Sequence, residues 1–309
     1  MIEYLACGNC MSDEIIQPNG ERSTRHMGGP AFFALSGIRL WTKNVKLVCR
    51  TGADFYDTYG VWLKENGLTD ESVRVDCDNM SCYVIQYDEN GTGIGGKSYY
   101  GDENLGYIKT HPEDIDEACG PDVKGIYFAT GAELVVWDKL EQVKKKHGYK
   151  MMWELEYFNS GKDFERLKKV AHIPEMWSLN NKEAAEMFGR DPKDDLYLIQ
   201  KVQELTNELC LYRVGHRGAY AVTKEHAYYL PPAAVFPYVD QTGCGNCSTG
   251  AAMYAHASGC TPEETVVIAN ISAAYNVAQY GVFPLVTDEE MARAQKVKQE
   301  LLSKVEQVL

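Results

Sequence analysis

The chain has 309 residues, of which 45% are hydrophobic and 24% are charged, and its formal net charge is -13. This length and composition allow a substantial buried core and predict one large domain, or one domain with a minor addition. The acidic balance argues against a general binder of nucleic acids or anionic membranes, because such proteins concentrate Lys and Arg to neutralise phosphates. A small anionic ligand stays compatible, since it needs only local donors.

The sequence patterns predict neither a membrane anchor nor a leader. Apolar runs fall short of the roughly 18–20 residues that a transmembrane helix needs. The first residues, Met-Ile-Glu-Tyr, lack the basic and apolar regions of a signal peptide. We therefore expect a cytoplasmic protein with no membrane partner.

Short β-branched or aromatic segments alternate with helical patterns, which is typical of a mainly parallel sheet covered by helices on both faces. The sequence thus predicts an α/β fold. The predicted strands cover residues 4–8, 45–50, 125–129, 150–154, 176–179, 210–214 and 219–223. The predicted helices cover residues 31–41, 56–66, 135–146, 162–171, 182–188 and 194–205, with three more near the C-terminus, the last over 288–309.

Residues 81–107 interrupt this alternation with a predicted β-hairpin. A two-stranded hairpin is unstable alone in water, so it must pack on something. With residues 15–25 it would form a small sheet beside the main domain that acts as a lid. The alternative is an edge hairpin with no role in catalysis.

The tetrapeptide Cys-Gly-Asn-Cys occurs twice, at 7–10 and 244–247, among ten cysteines in all. A four-thiolate zinc site is one interpretation. Neither pair, however, has a partner pair nearby in a short knuckle. We favour buried, reduced thiols, as expected in a reducing compartment.

The most informative segment is Asp-Gln-Thr-Gly-Cys-Gly-Asn-Cys-Ser-Thr-Gly at 240–250, which runs into a small, apolar helix. Gly243 and Gly245 allow a sharp turn, and the unpaired amides of the first helical turn then face outward. This pattern predicts an anion site.

Two further motifs precede predicted helices or follow predicted strands. Gly28 and Gly29 lie just before a helix and allow close backbone approach to a ligand, although such a pair is most often only a turn. Asp13 lies five residues past Gly8, where a carboxylate can hold sugar hydroxyls or simply be solvated. The first strand does not lead into Gly-x-Gly-x-x-Gly, which disfavours a dinucleotide oxidoreductase.

In this order and at these separations, the motifs resemble the ribokinase-like family of sugar kinases, also called the PfkB family. The resemblance covers nearly the whole chain. Its parts are Gly8 and Asp13, the Gly28-Gly29 pair, the Gly52-Ala53-Asp54 segment with the helix up to Gly67, the hairpin at 81–100, Asn180 with Glu183, Gly215 with Gly218, and the turn at 240–250.

The resemblance implies a three-layer ribokinase-like fold as a single domain over 1–309, with a β lid formed from about 13–27 and 80–108. It implies an ATP-dependent kinase that phosphorylates a hydroxyl, a primary alcohol, of a sugar, sugar conjugate or nucleoside. Mg²⁺ is the implied metal cofactor, and a monovalent cation is a further candidate. It also implies a homodimer in which the two lids clasp.

The family's site residues can be transferred by motif. Acceptor hydroxyls would bind Asp13 and the backbone of Gly28 and Gly29. Asn180 and Glu183 would organise magnesium, the latter through water. The nucleotide would bind at Asn180, Gly215, Gly218 and Asn276. The acceptor would also contact Phe33 and Asp102. The anion hole that stabilises the transferring phosphoryl group would consist of Gly243, Cys244 and Gly245.

Three positions depart from the family pattern. Phe32 or Phe33 stands where many members have a substrate-binding asparagine, and Arg213 lies in a segment that lacks the usual threonine. Asn246 stands where the family has the carboxylate that deprotonates the substrate. Loss of general-base assistance, typically worth 10²–10⁴ in rate, would cost about 3–5 kcal/mol of barrier.

Four explanations of Asn246 stay open. The base comes from elsewhere, with Glu133, Asp102 and Asp240 as candidates; the asparagine was introduced to trap a substrate; the enzyme turns over slowly; or the protein binds ligands without catalysis.

The identity of the acceptor is also open. The acidic stretch at 102–103 would suit a cationic acceptor, whereas Arg25 and His26 would suit an anionic or hydroxyl-rich one.

Overall fold

A computed structural model describes residues 1–89, 93–98, 109–155 and 164–309, without the side chains of 95–98. Its main sheet has ten strands in the order β14-β13-β12-β11-β10-β9-β8-β1-β4-β5. The strands are β1 (Tyr4–Cys7), β4 (Val45–Gly52), β5 (Val73–Cys77), β8 (Gly125–Thr130), β9 (Lys150–Leu155), β10 (Met176–Asn180), β11 (Leu209–Arg213), β12 (Ala219–Val222), β13 (Ala227–Leu230) and β14 (Glu306–Gln307).

All neighbours from β11 through β5 pair in parallel, whereas β11 to β14 pair antiparallel. These seven strands therefore end at one edge of the sheet, where β13, which is antiparallel to β12, also ends. Ligands of open α/β sheets collect at this carboxyl edge.

Helices cover both faces of the sheet, and the strands alternate their side chains between two buried cores. The first core contains α1 (Pro30–Arg39), α2 (Tyr59–Glu65), α8 (Cys244–Ala257), α9 (Pro262–Asn276) and α10 (Asp288–Leu302). The second contains α3 (Pro112–Ala118), α4 (Leu134–His147), α5 (Phe164–Val170), α6 (Asn181–Phe188) and α7 (Asp195–Leu205). The predicted α/β fold with a mainly parallel sheet is confirmed.

A separate four-stranded sheet has the order β3-β2-β6-β7. It consists of β2 (Met11–Ile16), β3 (His26–Gly28), β6 (Cys82–Tyr87) and β7 (Gly93–Ser98). β6 and β7 form the predicted antiparallel hairpin, and β2 pairs with β6 in parallel. Residues 99–108 of the proposed lid, including Asp102, lie outside the described residues.

The structure corrects several boundaries. The last helix ends at Leu302 rather than at 309, because the chain then turns and adds β14 to the sheet edge. The helix expected at 56–66 is divided into a 3-10 turn, Ala53–Asp57, and α2. The short elements α3, β5 and β13 were not predicted. β5 has no buried residue and lacks a continuous apolar pattern.

Two helix ends show capping that is typical of their residue types. The Thr287 side chain accepts the amide of Glu290 at the start of α10, and Gly148 ends α4 in the left-handed conformation. In the part of the chain that the structure describes, no helix is both long and apolar enough to cross a membrane.

Candidate active site

The candidate site begins where β8, β9, β10 and β11 approach the carboxyl edge of the sheet. Glu154 pairs in register with Ser178, and Asn180 pairs with Arg213. Because side chains alternate along a strand, Glu154, Ser178 and Arg213 share one face with Tyr127. This is the face that α8 covers.

The turn at 240–243 brings α8 onto this face. Gly243 is the N-cap residue, with φ 76°, and a Cβ there would lie 2.2 Å from the ring of Phe33. The amide of Cys244 donates to the carbonyl of Gln241 at 3.1 Å. The amides of Gly243, Gly245 and Asn246 have no acceptor among the described residues, so the free donors are these three.

Asn246 belongs to a hydrogen-bonded chain that ends on a buried carboxylate. Tyr127 Oη donates to Glu154 Oε2 at 2.6 Å, and Asn246 Nδ2 lies 3.2 Å from Tyr127 Oη. The phenol proton is directed to the carboxylate, so the phenol oxygen can only accept from Asn246. The network therefore assigns Nδ2 to Tyr127 and leaves Asn246 Oδ1 free as an acceptor.

Arg213 completes this network on the other side of Glu154. Its Nη2 lies 2.9 Å from Glu154 Oε1, and its Nε donates to Ser178 Oγ at 3.0 Å. Ser178 Oγ also lies 2.9 Å from Thr249 Oγ1, which donates to the carbonyl of Gly245 at 2.8 Å. The guanidinium is thereby tied to the first turns of α8.

A pair of buried carboxyl groups, Asp13 and Asp240, lies on the lid side of the turn. Asp13 is on β2, and a Cβ on Gly28 would lie 1.9 Å from Asp13 Oδ2. Asp240 Oδ1 accepts the amide and the hydroxyl of Thr242, whereas its Oδ2 is buried without a partner among the described residues. Asp13 is therefore a buried strand residue and not a solvated loop aspartate.

Burial, with the Asp240 charge as the second cause, raises the pKa of Asp13 from its usual 3.8 to about 8. Burial also raises the pKa of Asp240. At neutral pH the ligand-free site therefore holds Asp13 mainly protonated. A ligand that donates hydrogen bonds to Asp13 would favour the ionised form.

The raised pKa of Asp13 has a consequence for stability. A carboxyl group whose folded pKa exceeds its unfolded value contributes stability below pH 4, and this contribution is lost as the pH rises to about 8. Asp13→Asn does not titrate, so its melting temperature relative to the native chain should increase between pH 5 and pH 9, by roughly 2–4 °C for each kcal/mol of stability that the native chain loses. Thermal unfolding across this pH range measures the difference.

Asp288→Asn is the matched control, because Lys43 lowers the pKa of the exposed Asp288 carboxyl. The difference in melting temperature between this variant and the native chain should stay constant between pH 5 and pH 9. An equally flat difference for Asp13→Asn would show that Asp13 is ionised throughout this range.

Comparison with known proteins identifies the scaffold. The sequence profile of the pfkB family carbohydrate kinases matches residues 8–288. The chain belongs to this family. No curated protein matches the sequence.

Solved structures share the fold of this pfkB-family carbohydrate kinase at low sequence identity. The Burkholderia thailandensis nucleoside kinase in complex with inosine has a TM-score of 0.70 and 17% identity, covering 95% of this chain and 96% of its own. The Sinorhizobium meliloti adenosine kinase has a TM-score of 0.73 and 16% identity, covering 96% and 99%. The Salmonella enterica aminoimidazole riboside kinase, complexed with aminoimidazole riboside and an ATP analog, has a TM-score of 0.72 and 14% identity, covering 96% and 99%.

In this kinase, Asn180 and Glu183, which the family motif assigns to magnesium, form a helix cap. Asn180 Oδ1 accepts the amides of Lys182 and Glu183, and Glu183 Oε2 accepts the amide of Asn180. The Asn180 oxygen is thus committed to α6, so we do not retain it as a metal ligand. Glu183 Oε1 accepts no hydrogen bond from the described residues, and burial raises the pKa of Glu183 to about 7.

Three residues assigned to ligands support the turn instead. Phe33 is buried against Gly243, and the Cys244 amide is bonded to Gln241. Asn276 is buried on α9 and donates to the carbonyl of Thr242 at 2.8 Å, while its Oδ1 has no partner among the described residues. Phe33 is therefore packed inside the protein, and Asn276 lies beside the turn with its Oδ1 left unbonded among the described residues.

The glycines that the sequence singled out lie near the same edge. The Gly28 amide donates to Tyr59 Oη at 2.8 Å, and the Gly29 amide is bonded to the Asp13 carboxyl. Both amides are therefore engaged within the protein. Gly215 and Gly218, with φ 64° and 112°, form the turn between β11 and β12.

The candidate bases differ in position. Asp240 precedes the α8 turn and keeps one carboxylate oxygen unbonded, whereas Glu133 is the N-cap residue of α4 in the opposite helical layer. Asp102 lies outside the described residues. Of the two that the structure describes, Asp240 lies nearer the free amides along the chain.

The repeated Cys-Gly-Asn-Cys segments do not bring four thiols together. Cys7 lies in the second core and Cys10 in the first, on opposite faces of the sheet. Cys247 Sγ donates to the carbonyl of Ser272 at 3.3 Å, between α8 and α9. Within the described ranges, no group of three or more His, Cys, Asp or Glu residues could hold a metal ion.

Sequence reasoning missed Tyr127, Glu154 and Ser178, and noticed Arg213 only for the threonine that it replaces. A signal was available, since Glu154 and Arg213 fall at the ends of predicted strands. Alternation along those strands would have placed their side chains on one face. A charged residue at the carboxyl end of a buried parallel strand is a good candidate for a site.

Proposed function

We propose that this kinase transfers the terminal phosphoryl group of ATP to a hydroxyl, a primary alcohol, of a sugar, sugar conjugate or nucleoside. The observation that carries the proposal is the juxtaposition of the free α8 amides with the buried Asp13 and Asp240 carboxyl groups. The amides suit an anionic phosphoryl group, and the carboxyl groups suit hydroxyls. The similar structures named for nucleosides and ribosides support this acceptor class.

In the proposed reaction, the acceptor oxygen forms a bond to the terminal phosphorus and the bond to the bridging oxygen of ATP breaks, releasing ADP. Asp13 binds an acceptor hydroxyl, and Asn246 Oδ1 accepts from the reacting one. Asn246 orients this hydroxyl without removing its proton. In a loose transition state little proton removal is needed early, so the proton passes late to a phosphoryl oxygen or to water.

Mg²⁺ would neutralise the phosphates during transfer. Glu183 fits a role in organising its water shell, because one carboxylate oxygen is unbonded and a nearby cation would favour the ionised form. A monovalent cation would fit near Thr242, where Asp240 Oδ2 and Asn276 Oδ1 are buried oxygens without partners among the described residues. Assays with and without each cation test both assignments.

The four-stranded sheet is proposed as a lid over the acceptor. Tyr87 Oη, at the end of β6, lies 2.8 Å from Thr242 Oγ1, which ties this sheet to the turn before α8. His26 on β3 stacks on Tyr280 with ring centroids 5.0 Å apart. The exposed Tyr83 and Ile94 would contribute to a dimer formed through the lids, and light scattering of the purified protein tests that state.

We expect ATP-dependent phosphorylation of at least one member of a panel of sugars, ribosides and nucleosides, detected by ADP release and by the mass of the product. The panel should be run with the native chain and with Asn246→Asp. Background ADP release throughout the panel in both would contradict the kinase proposal.

The second candidate function is a ligand-binding protein that has kept the fold and lost the chemistry. The identity of residue 246 favours it, because the amide of Asn246 is not basic and cannot take the proton from the substrate. Calorimetric binding of a nucleotide or sugar, together with no transfer in either variant, would distinguish this function from catalysis.

A further inference from the structure

Arg213 is held unusually close to the first turn of α8. A Cβ on Gly245 would lie 1.9 Å from Arg213 Nη1, so the guanidinium packs directly on the backbone of this glycine. The Gly245 amide is itself a free donor, as described above. A fixed positive charge and an unpaired amide thus lie beside the same residue.

The hydrogen bonds of Arg213 fix its orientation and leave one nitrogen unused. Nε and Nη2 are bound to Ser178 and Glu154. Nη1 has no acceptor among the described residues, although the side chain is only 14% exposed. A guanidinium usually satisfies its donors with planar acceptors such as carboxylate or phosphate, so Nη1 is poised for an anionic ligand.

The surrounding charges locate that ligand. Arg213 lies close enough to Glu183 to act against the burial that raises the pKa of this carboxyl. Arg213 therefore lies near both Glu183, the candidate for the magnesium shell, and the free amides of α8. These are the two places that the proposed function assigns to the polyphosphate.

We propose that Arg213 is a phosphate-binding residue whose Nη1 contacts the terminal phosphates of a nucleoside triphosphate. This inference rests on the proposed function. Glu154 pairs with Arg213, partly neutralises its positive charge and holds the guanidinium in place. Tyr127 links the same carboxylate to Asn246. The site has an asparagine in place of a carboxylate at position 246, and it has the positive charge of Arg213 near the transferring phosphoryl group.

The test compares two variants with opposite expected effects on calorimetric ATP affinity in the presence of Mg²⁺. Glu154→Gln keeps an acceptor for Tyr127 but removes the charge that neutralises Arg213, so ATP should bind about 3- to 10-fold more tightly. The double variant E154Q/R213Q removes the pair without leaving a buried unpaired charge. It should bind ATP about 10- to 100-fold more weakly than E154Q.

The affinity for inorganic tripolyphosphate should change in the same way as the affinity for ATP among the native chain, E154Q and E154Q/R213Q. AMP and adenosine should bind all three proteins equally. Thermal unfolding confirms that each variant is folded. Equal ATP affinity in the three proteins would overturn the phosphate contact, as would a parallel loss of AMP and ATP. A native chain that binds neither ATP nor tripolyphosphate would overturn the proposed function as well.

Discussion

Replacing Asn246 with aspartate is expected to accelerate phosphoryl transfer, but only at alkaline pH. Aspartate cannot donate to Tyr127, whose proton is directed to Glu154 at 2.6 Å. The new carboxylate would face the phenol oxygen and, beyond it, a second carboxylate. The phenol oxygen and the Glu154 carboxylate both raise the pKa of the new aspartate, so this residue becomes an effective base only above neutral pH. At pH 9 we expect a gain in kcat of about 10²-fold over the native chain, measured by ADP release.

The double variant Y127F/N246D lacks the phenol oxygen, which removes its repulsive contact with the new carboxylate. It should shift the rising limb of the pH–rate profile to lower pH than in N246D. Asn246→Ala, which has neither base nor acceptor, should be slower than the native chain because the hydroxyl is no longer oriented. If N246A matched the native rate and N246D gained nothing up to pH 9.5, position 246 would not face the reacting hydroxyl.

The expected behaviour of N246D follows from side chains that the sequence motifs do not contain. Local patterns predicted the parallel strands, the hairpin and the turn before α8, because alternation, helix periodicity and glycine placement are properties of short segments. Strand order and lateral contacts depend on distant parts of the chain. The pairing of Arg213 with Glu154, 59 positions earlier in the sequence, required β9, β10 and β11 to be placed side by side.

The roles assigned by motif met a related difficulty. Asn180 and Glu183 have the spacing of a magnesium motif, but the same spacing forms a capping box at the start of α6. Phe33 follows the paired glycines as expected, yet its ring supports Gly243. A motif records which residues occur together, whereas the hydrogen bonds decide which of their atoms stay available to a ligand.

The largest loss of stability is expected for Gly243→Ala. Gly243 has φ 76°, which a residue with a side chain adopts only with strain. The new methyl group would also lie 2.2 Å from the ring of Phe33, which is 2% exposed and cannot move into solvent. Strain and overpacking together should lower the free energy of unfolding by about 2–5 kcal/mol. Denaturant titration measures this change.

Gly259→Ala is the matched control, since Gly259 follows the other end of α8 with φ 88° and no atom lies within 4 Å of its Cβ position. It should lose only about 1 kcal/mol, from backbone strain, with no change in turnover. G243A should in addition lose at least about 10²-fold in kcat, because a shifted turn withdraws the amides of Gly245 and Asn246 from the phosphoryl group. Equal losses in the two variants would show that the contact with Phe33 has no part in holding the turn. If G243A instead kept the native kcat, the α8 amides would not be the donors on which transfer depends.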